Sequence, residues 1–342
     1  MVPVGLAQGH GVWLSVLIAL PGGILLFLIY DYLFRQYPQF LLSGYTLKIM
    51  GKFIGWPLSL LYIAFFMYIA SRNLRDAGDL LVTASYDRTP LFIINTIMIV
   101  AVIYVLSKGI EVLARLAEIY LLIIISLGLI SNVFVIFSGL VDLNNLLPIL
   151  SGQWHSILNS AYPNIWLFPF GELVVLTTIL PRLNKGQLAR KTGIIAITVS
   201  GLLLSFTHAI ELSVLGEDTY SRATFPLFTA ISLVNIADFL QRMDALVMLT
   251  LIIGAFFKMT IFCYAAVAIA SDLFNLQEQK KEVVFPIATL VLFFSIMIAS
   301  SFPSHLEEGK MTIKVILPIF CVGIPALLAI VHFIRKRFGL YR

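Results

Sequence analysis

Nine stretches of mostly apolar residues run through this chain of 342 residues, each about as long as a helix that crosses a membrane. About 20 apolar residues are needed to cross the hydrocarbon core of a bilayer. Backbone polar groups cannot stay unpaired in lipid, so we expect these spans to be helical. The predicted spans are roughly residues 11–34, 57–83, 91–107, 113–138, 157–180, 192–214, 244–270, 284–301 and 316–334. The pattern predicts an all-α polytopic membrane protein with a single transmembrane domain.

Composition supports the same fold class. Hydrophobic residues make up 60% of the chain and charged residues only 12%. A soluble domain with this composition would expose large apolar patches. The predicted partner of the apolar surface is therefore the lipid bilayer.

The lysines and arginines are distributed unequally between the two sets of connecting loops. One set, which includes the C-terminal tail, holds 15 of them, and the opposite set holds 5. Because cytoplasmic loops are enriched in these residues, we predict a cytoplasmic C-terminus. These loops account for the formal net charge of +5 without a nucleic-acid partner. Nine spans then place the N-terminus outside. We interpret this as an even-numbered architecture whose first span is missing; the alternative is a genuine nine-span protein.

The predicted fifth span is interrupted at its centre, where the sequence reads Phe168-Pro169-Phe170-Gly171-Glu172. Pro169 lacks a backbone N–H and clashes with the preceding helical turn, and Gly171 has low helix propensity. A carboxylate that faces lipid is costly, so we expect Glu172 to face protein or a wet cavity. Interrupted membrane helices form the midplane ligand sites of many transporters.

Lys258 is a second isolated charge, near the middle of the seventh span. Neither Glu172 nor Lys258 has an opposite charge within one helical turn, and a lone buried charge pairs or neutralises. The residues leave three arrangements open: a pair across helices, contact with water or a ligand, or a lysine that snorkels outward. The functional interpretation is a site for a zwitterion or a coupling proton; the alternative is a purely structural ion pair.

Four charged residues lie towards the outer end of the second span. Arg72 with Asp76, and Arg75 with Asp79, are spaced i,i+4 and share one helix face. They either line an outer vestibule or form a structural ion-pair cluster, and we favour the structural interpretation.

Other polar residues give weaker signals. His208 and Glu211 share a face of the sixth span and favour an interfacial hydrogen bond over a proton relay. The five histidines are scattered, so no metal-ligand cluster is predicted. The chain has no phosphate-cradling glycine loop and no nucleophile elbow. We therefore expect no metal, no cofactor and no enzymatic activity.

A series of landmarks along the chain carries a family resemblance. They are RNLRD at residues 72–76, TP at 89–90, GIEVLAR at 109–115, PFGE at 169–172, DFLQRMD at 238–244 and FK at 257–258. In this order and spacing the chain resembles the permease-like B subunit of nutrient-germinant receptors of spore-forming bacteria, within the amino acid–polyamine–organocation superfamily. One departure is Gln241, where that family often has Glu.

The resemblance implies a transporter-like bundle of ten spans in two inverted five-helix repeats. The family's first and sixth helices are broken and face a midplane pocket. By this comparison the predicted fifth span corresponds to the sixth helix of the family. Residues 2–5 would be the end of the missing first span.

The resemblance also implies a function. A B subunit is expected to bind a small germinant, such as an amino acid, together with an A subunit and a lipoprotein C subunit in the spore inner membrane. The predicted ligand-binding residues are Phe168, Pro169, Phe170, Gly171, Glu172 and Lys258. The alternative function is an amino acid/proton secondary transporter in which Glu172 or Lys258 carries the coupling proton. A structural scaffold is disfavoured, because it leaves the Glu172 carboxylate without a role.

Overall fold

The computed structural model describes residues 11–147, 154–234, 244–276 and 280–338. Helices dominate these segments, and the described residues contain no β-strand. The α-helices are α1 (Val12–Gln36), α2 (Leu42–Met50), α3 (Lys52–Ala84), α4 (Leu91–Lys108), α5 (Ile110–Phe137), α6 (Trp154–Asn159), α7 (Ala189–Arg222), α8 (Pro226–Ser232), α9 (Asp244–Leu273), α10 (Lys280–Met297), α11 (Phe302–Met311) and α12 (Ile324–Arg337). The predicted all-α class is confirmed.

Short helices of other types fill several connections. Wide π-helical turns form Ser160–Phe170, Thr312–Ile316 and Pro318–Gly323. Tighter 3₁₀ turns form Leu143–Leu146, Gly171–Thr178, Leu180–Arg182 and Gly186–Leu188. Most of these irregular turns lie between α6 and α7 and between α11 and α12, so the departures from regular helix concentrate in two parts of the chain.

Seven helices in the described part of the chain are long and apolar enough to cross a membrane. Six of them correspond to the first four predicted spans and to the sixth and seventh. The other corresponds to the ninth predicted span and runs from α11 through two π turns into α12. The predicted span 157–180 consists instead of consecutive short helices, and the span 284–301 corresponds to the 18-residue α10. The number of crossings stays a prediction. Residues 2–5, and residues 238–243 of one family landmark, lie outside the described segments.

The most extensive contact between two helices in the described segments joins α3 and α9. On α9, residues 265–270 read AAVAIA and are all buried. Small side chains let two membrane helices approach closely, because their association depends on packing and not on the exclusion of water. On the facing helix α3, the larger Tyr62 and Phe66 are fully buried. A second contact joins α1 to α7 and to the interrupted helix, so α1 lies beside the predicted break.

Helix α5 marks the periphery. Only 11% of its most apolar window is buried inside the structure, compared with 50% for α1 and α3. Large apolar side chains such as Leu122 (67% exposed) and Phe137 (81% exposed) point away from the other helices. A membrane supplies the apolar surroundings that such a face requires, and this supports the assignment of α5 as a membrane span.

Candidate functional site

The predicted fifth span is interrupted twice. Within the π-helical stretch Ser160–Phe170, Tyr162 (φ −126°, ψ 123°) and Phe168 (φ −130°, ψ 110°) have extended backbone. Tyr162 precedes Pro163, and Phe168 precedes Pro169. A proline ring disfavours helical conformation in the residue before it, so each interruption follows from a local steric clash. The predicted loss of helix at Pro169 is confirmed, and the break at Pro163 was not predicted.

Glu172 lies in the first turn of the helix that resumes after Phe168. A carboxylate at that position interacts favourably with the positive end of the helix dipole. Its Oε2 atom lies 2.6 Å from Nζ of Lys258, which comes from the middle of α9. The Glu172 side chain is 7% exposed and that of Lys258 is 25% exposed. Of the arrangements left open by the sequence, the structure therefore shows the ion pair across helices.

Phe168 completes this arrangement. Nζ of Lys258 lies 4.4 Å from the centroid of the Phe168 ring, within the range of a cation–π interaction. The extended backbone at Phe168 thus places its ring over the lysine while the next turn delivers Glu172 to the same ammonium group. We call Phe168, Glu172 and Lys258 the central triad.

The other predicted site residues face elsewhere. Phe170 is buried in a cluster with α1, where its ring lies against Gly23. Gly171 faces Cys321, and a Cβ added to Gly171 would lie 3.2 Å from the Cβ of Cys321. Pro169 occupies the first position of the resumed helix, where its missing N–H costs nothing. The structure therefore brings three of the six predicted residues together as side chains, while Pro169, Phe170 and Gly171 shape the backbone beside them.

Two tyrosines beside the break were not predicted from the sequence. The hydroxyl of Tyr30 on α1 donates to the carbonyl of Cys321 at 2.5 Å and lies 3.4 Å from the carbonyl of Gly171. The hydroxyl of Tyr62 on α3 donates to the carbonyl of Phe320 at 2.8 Å. Both acceptors belong to the π-helical turn Pro318–Gly323. A wide π turn is often found at functional sites, and the sequence signal for it is the cluster of Pro and Gly inside the last span.

The charged cluster on α3 differs in part from the prediction. Asp79 accepts from Nε of Arg75 at 2.8 Å, as the i,i+4 spacing indicates. The Nη1 atom of Arg75 also donates to the carbonyl of Ala299, 3.1 Å away and just beyond the end of α10. A cation there satisfies carbonyl groups that the helix end leaves free. This pair thus links α3 to the end of α10, which is the kind of packing contact that the favoured structural interpretation describes.

Arg72 and Asp76 have the same i,i+4 spacing, but each has its direct partner on α11. Arg72 forms its ion pair with Glu308 of α11, and Asp76 contacts Nε2 of the buried His305 at 2.8 Å. Glu308 also accepts from Tyr68. These contacts link α3 to α11, because α11 brings its own charged side chains against the same face of α3. His305 gave no sequence signal beyond its position in the loop before the last span.

A smaller polar cluster lies on α7. Nδ1 of His208 is 3.1 Å from Glu211 Oε2 and 2.9 Å from the hydroxyl of Tyr220. Tyr220 reaches back because the chain turns at Gly216, whose φ of 67° favours glycine. The predicted contact between His208 and Glu211 is present, and the arrangement fixes the end of α7.

Metal-binding geometry is not found in the described segments, where no group of three or more His, Cys, Asp or Glu side chains is placed to hold an ion. Cys263 and Cys321 are both buried and free.

An apolar helix bundle with an interrupted helix and a buried charge pair beside the interruption defines a permease-like membrane protein. The family model described as spore germination protein matches residues 3–303. Spore germination protein KB of Bacillus subtilis (strain 168) is 37% identical over 338 residues, which cover 98% of this chain and 90% of the relative. Spore germination protein A2 of the same organism is 26% identical over 291 residues, covering 83% and 76%. Spore germination protein YndE is 22% identical over 264 residues, covering 77% and 72%.

The chain belongs to the family of spore germination proteins, and it is an integral membrane protein. The resemblance drawn from the landmarks is confirmed.

Proposed function

We propose that this protein is the membrane subunit of a nutrient-germinant receptor and that it binds a small germinant, an amino acid, beside the break at Phe168. The observation that carries the proposal is the ion pair between Glu172 and Lys258 at that break. The relatives support the biological setting, since each is named a spore germination protein.

The chemistry of the pair matches an amino acid. A zwitterion offers one ammonium and one carboxylate group, the same two charges that Glu172 and Lys258 offer each other. A bound amino acid can therefore replace the internal pair with two new ones, its ammonium on Glu172 and its carboxylate on Lys258. Each side chain keeps a charged partner throughout, so neither is left buried and uncompensated.

The remaining predicted residues shape the site. The Phe168 ring lies over Lys258 and provides an apolar surface for a ligand side chain. Pro169 and the extended residue before it hold the chain open, and a helix start there offers N–H groups to a carboxylate. Phe170 anchors the break to α1, and Gly171 keeps it close to the last span.

Ligand binding in this scheme acts by shifting a conformational equilibrium. Separation of Glu172 from Lys258 loosens the contact between the interrupted helix and α9, so the ligand favours the state in which the two are apart. Partner A and C subunits in the spore inner membrane would read that state. The C-terminus lies on the cytoplasmic side, and the protein catalyses no reaction.

Spores that carry single substitutions provide the test. Glu172→Gln should abolish or retune germination in response to amino acids while protein levels and the response to a stimulus that bypasses the receptor stay normal. Glu111→Gln is the matched control, because Glu111 is exposed and forms only a peripheral pair with Arg115. Germination unchanged by Glu172→Gln would remove this residue from the site.

A second function is favoured by the same pair. A carboxylate that can exchange a lysine for a proton suits an amino acid/proton secondary transporter. Uptake of labelled amino acids into proteoliposomes that contain only this chain separates the two functions. Concentrative uptake driven by a proton gradient would favour the transporter, whereas ligand binding without uptake would favour the receptor.

A further inference from the structure

A cleft of about 720 Å³ lies at the far end of the interrupted helix, away from the central triad. The end of α1 contributes Phe34 and Arg35 to its walls, and the connection to α7 contributes Leu180, Leu183, Lys185 and Leu188. Leu180 lies eight positions after Glu172, which corresponds to about 12–16 Å along a helix. The cleft is therefore separate from the proposed germinant site.

The charges around the cleft are predominantly positive. Asp31, fully buried on α1 one turn before Arg35, accepts through one oxygen from Nε of Arg35 at 2.8 Å and from Nε of Arg190 at 2.6 Å. Lys185, on the connection to α7, is exposed. Arg35 and Lys185 are thus the charged residues of the lining, and both are positive. Nη2 of Arg35 also lies 3.4 Å from the carbonyl of Gln187, another lining residue, to which it donates. A guanidinium carries five N–H donors, so an anion in the cleft can accept from those that remain.

Apolar side chains form the rest of the lining. Phe34 and Leu180 belong to a buried cluster that forms the floor of the cleft. Leu183 and Leu188 are 44% and 54% exposed at its rim. A soluble anion gains no favourable contact from an apolar rim, whereas a phospholipid presents a phosphate group and an acyl chain side by side. Basic pockets between membrane helices at the cytoplasmic surface suit anionic headgroups.

We propose that this cleft binds the phosphate headgroup of an anionic phospholipid, with Arg35 and Lys185 on the phosphate and Leu183 and Leu188 against the acyl chains. The chemistry recognised is a phosphate anion, and the apolar rim identifies the membrane as its source. The proposal is independent of the germinant site.

Equilibrium binding of fluorescent phosphatidylglycerol to the full chain in neutral detergent tests it, with phosphatidylcholine of the same chain length for comparison. Phosphatidylglycerol should bind more tightly. Lys185→Gln should weaken its binding about fivefold, since one basic residue near a membrane contributes about 1 kcal/mol. Lys191→Gln is the matched control, because Lys191 is exposed in the same region without lining the cleft. Equal binding of the two lipids, or equal effects of the two substitutions, would overturn the proposal.

A second variant distinguishes the source of the phosphate. Leu188→Ser should weaken binding of the lipid and leave competition by inorganic phosphate unchanged. If inorganic phosphate binds as tightly as phosphatidylglycerol and Leu188→Ser has no effect on either, the lipid proposal fails and the cleft is a site for soluble phosphate. Thermal unfolding of each variant without ligand checks that the fold is intact.

Discussion

The ring of Phe170 lies directly against the backbone of Gly23. A Cβ added to Gly23 would come within 2.7–2.8 Å of the Cβ and ring atoms of Phe170. The absence of a side chain at Gly23 is therefore what allows α1 to pass the interrupted helix at this distance.

Substitution of Gly23 by Ala should destabilise the protein. The added methyl group forces Phe170 or α1 to move, and overpacking of this kind typically costs about 1–3 kcal/mol. Gly128→Ala is the control, because a Cβ at that position in α5 meets open space and alanine favours helix. Thermal unfolding in detergent should show a lower midpoint for Gly23→Ala and no decrease for Gly128→Ala. Equal midpoints would contradict this packing.

The buried pair should behave as a coupled unit. Lys258→Met leaves the Glu172 carboxylate buried without a partner, and we expect a loss of about 3 kcal/mol, the lower end for buried pairs because Lys258 is partly exposed. The double variant Glu172→Gln/Lys258→Met should lose less than the sum of the two single variants. A double-mutant cycle on thermal stability measures this coupling.

The pair of Glu111 and Arg115 provides the reference for that cycle. Both side chains are 76% exposed, so their coupling should stay below about 1 kcal/mol. Additive effects of Glu172→Gln and Lys258→Met would show that the two charges do not interact in the folded protein.

The link between α3 and α11 should respond to charge reversal. Arg72→Glu places two carboxylates opposite each other at Glu308 and should lower thermal stability. The swapped variant Arg72→Glu/Glu308→Arg should recover much of the loss, because it restores opposite charges. Arg88→Glu, at an exposed loop position, should have little effect. A swapped variant no more stable than Arg72→Glu would argue against the contact.

The predicted orientation can be tested by labelling introduced cysteines. Cys263 and Cys321 are both buried and should give little background. In intact cells, a maleimide that does not cross membranes should modify Arg88→Cys and spare Lys185→Cys until the cells are permeabilised. The reverse pattern would invert the predicted topology and place the C-terminus outside.

Local physical rules explain which features could be predicted from the sequence. The apolar stretches predict helices because lipid leaves the backbone no alternative, and the break at Pro169 follows from the steric effect of proline on Phe168. The pair of Arg75 and Asp79 agrees with their i,i+4 spacing on one helix. Each of these signals is contained within a few consecutive residues.

Contacts between distant segments could not be predicted in this way. Helical periodicity indicates that Arg72 and Asp76 share a face, but it does not indicate which element lies opposite, and α11 supplies Glu308 and His305. The pairing of Glu172 with Lys258 stayed one of several alternatives for the same reason.

The contacts of Tyr30 with the carbonyl groups of Gly171 and Cys321 connect movements of three helices. Its hydroxyl joins α1 to Cys321 and lies close to Gly171, so the interrupted helix, the first helix and the last helix meet at one phenol. In a receptor that works as proposed, a displacement of Gly171 by the ligand strains this junction and tilts the last helix. Arg335, Lys336 and Arg337 end that helix. The basic end of α12 would then be displaced when the pocket is occupied, and a partner protein bound there would sense the ligand through that displacement.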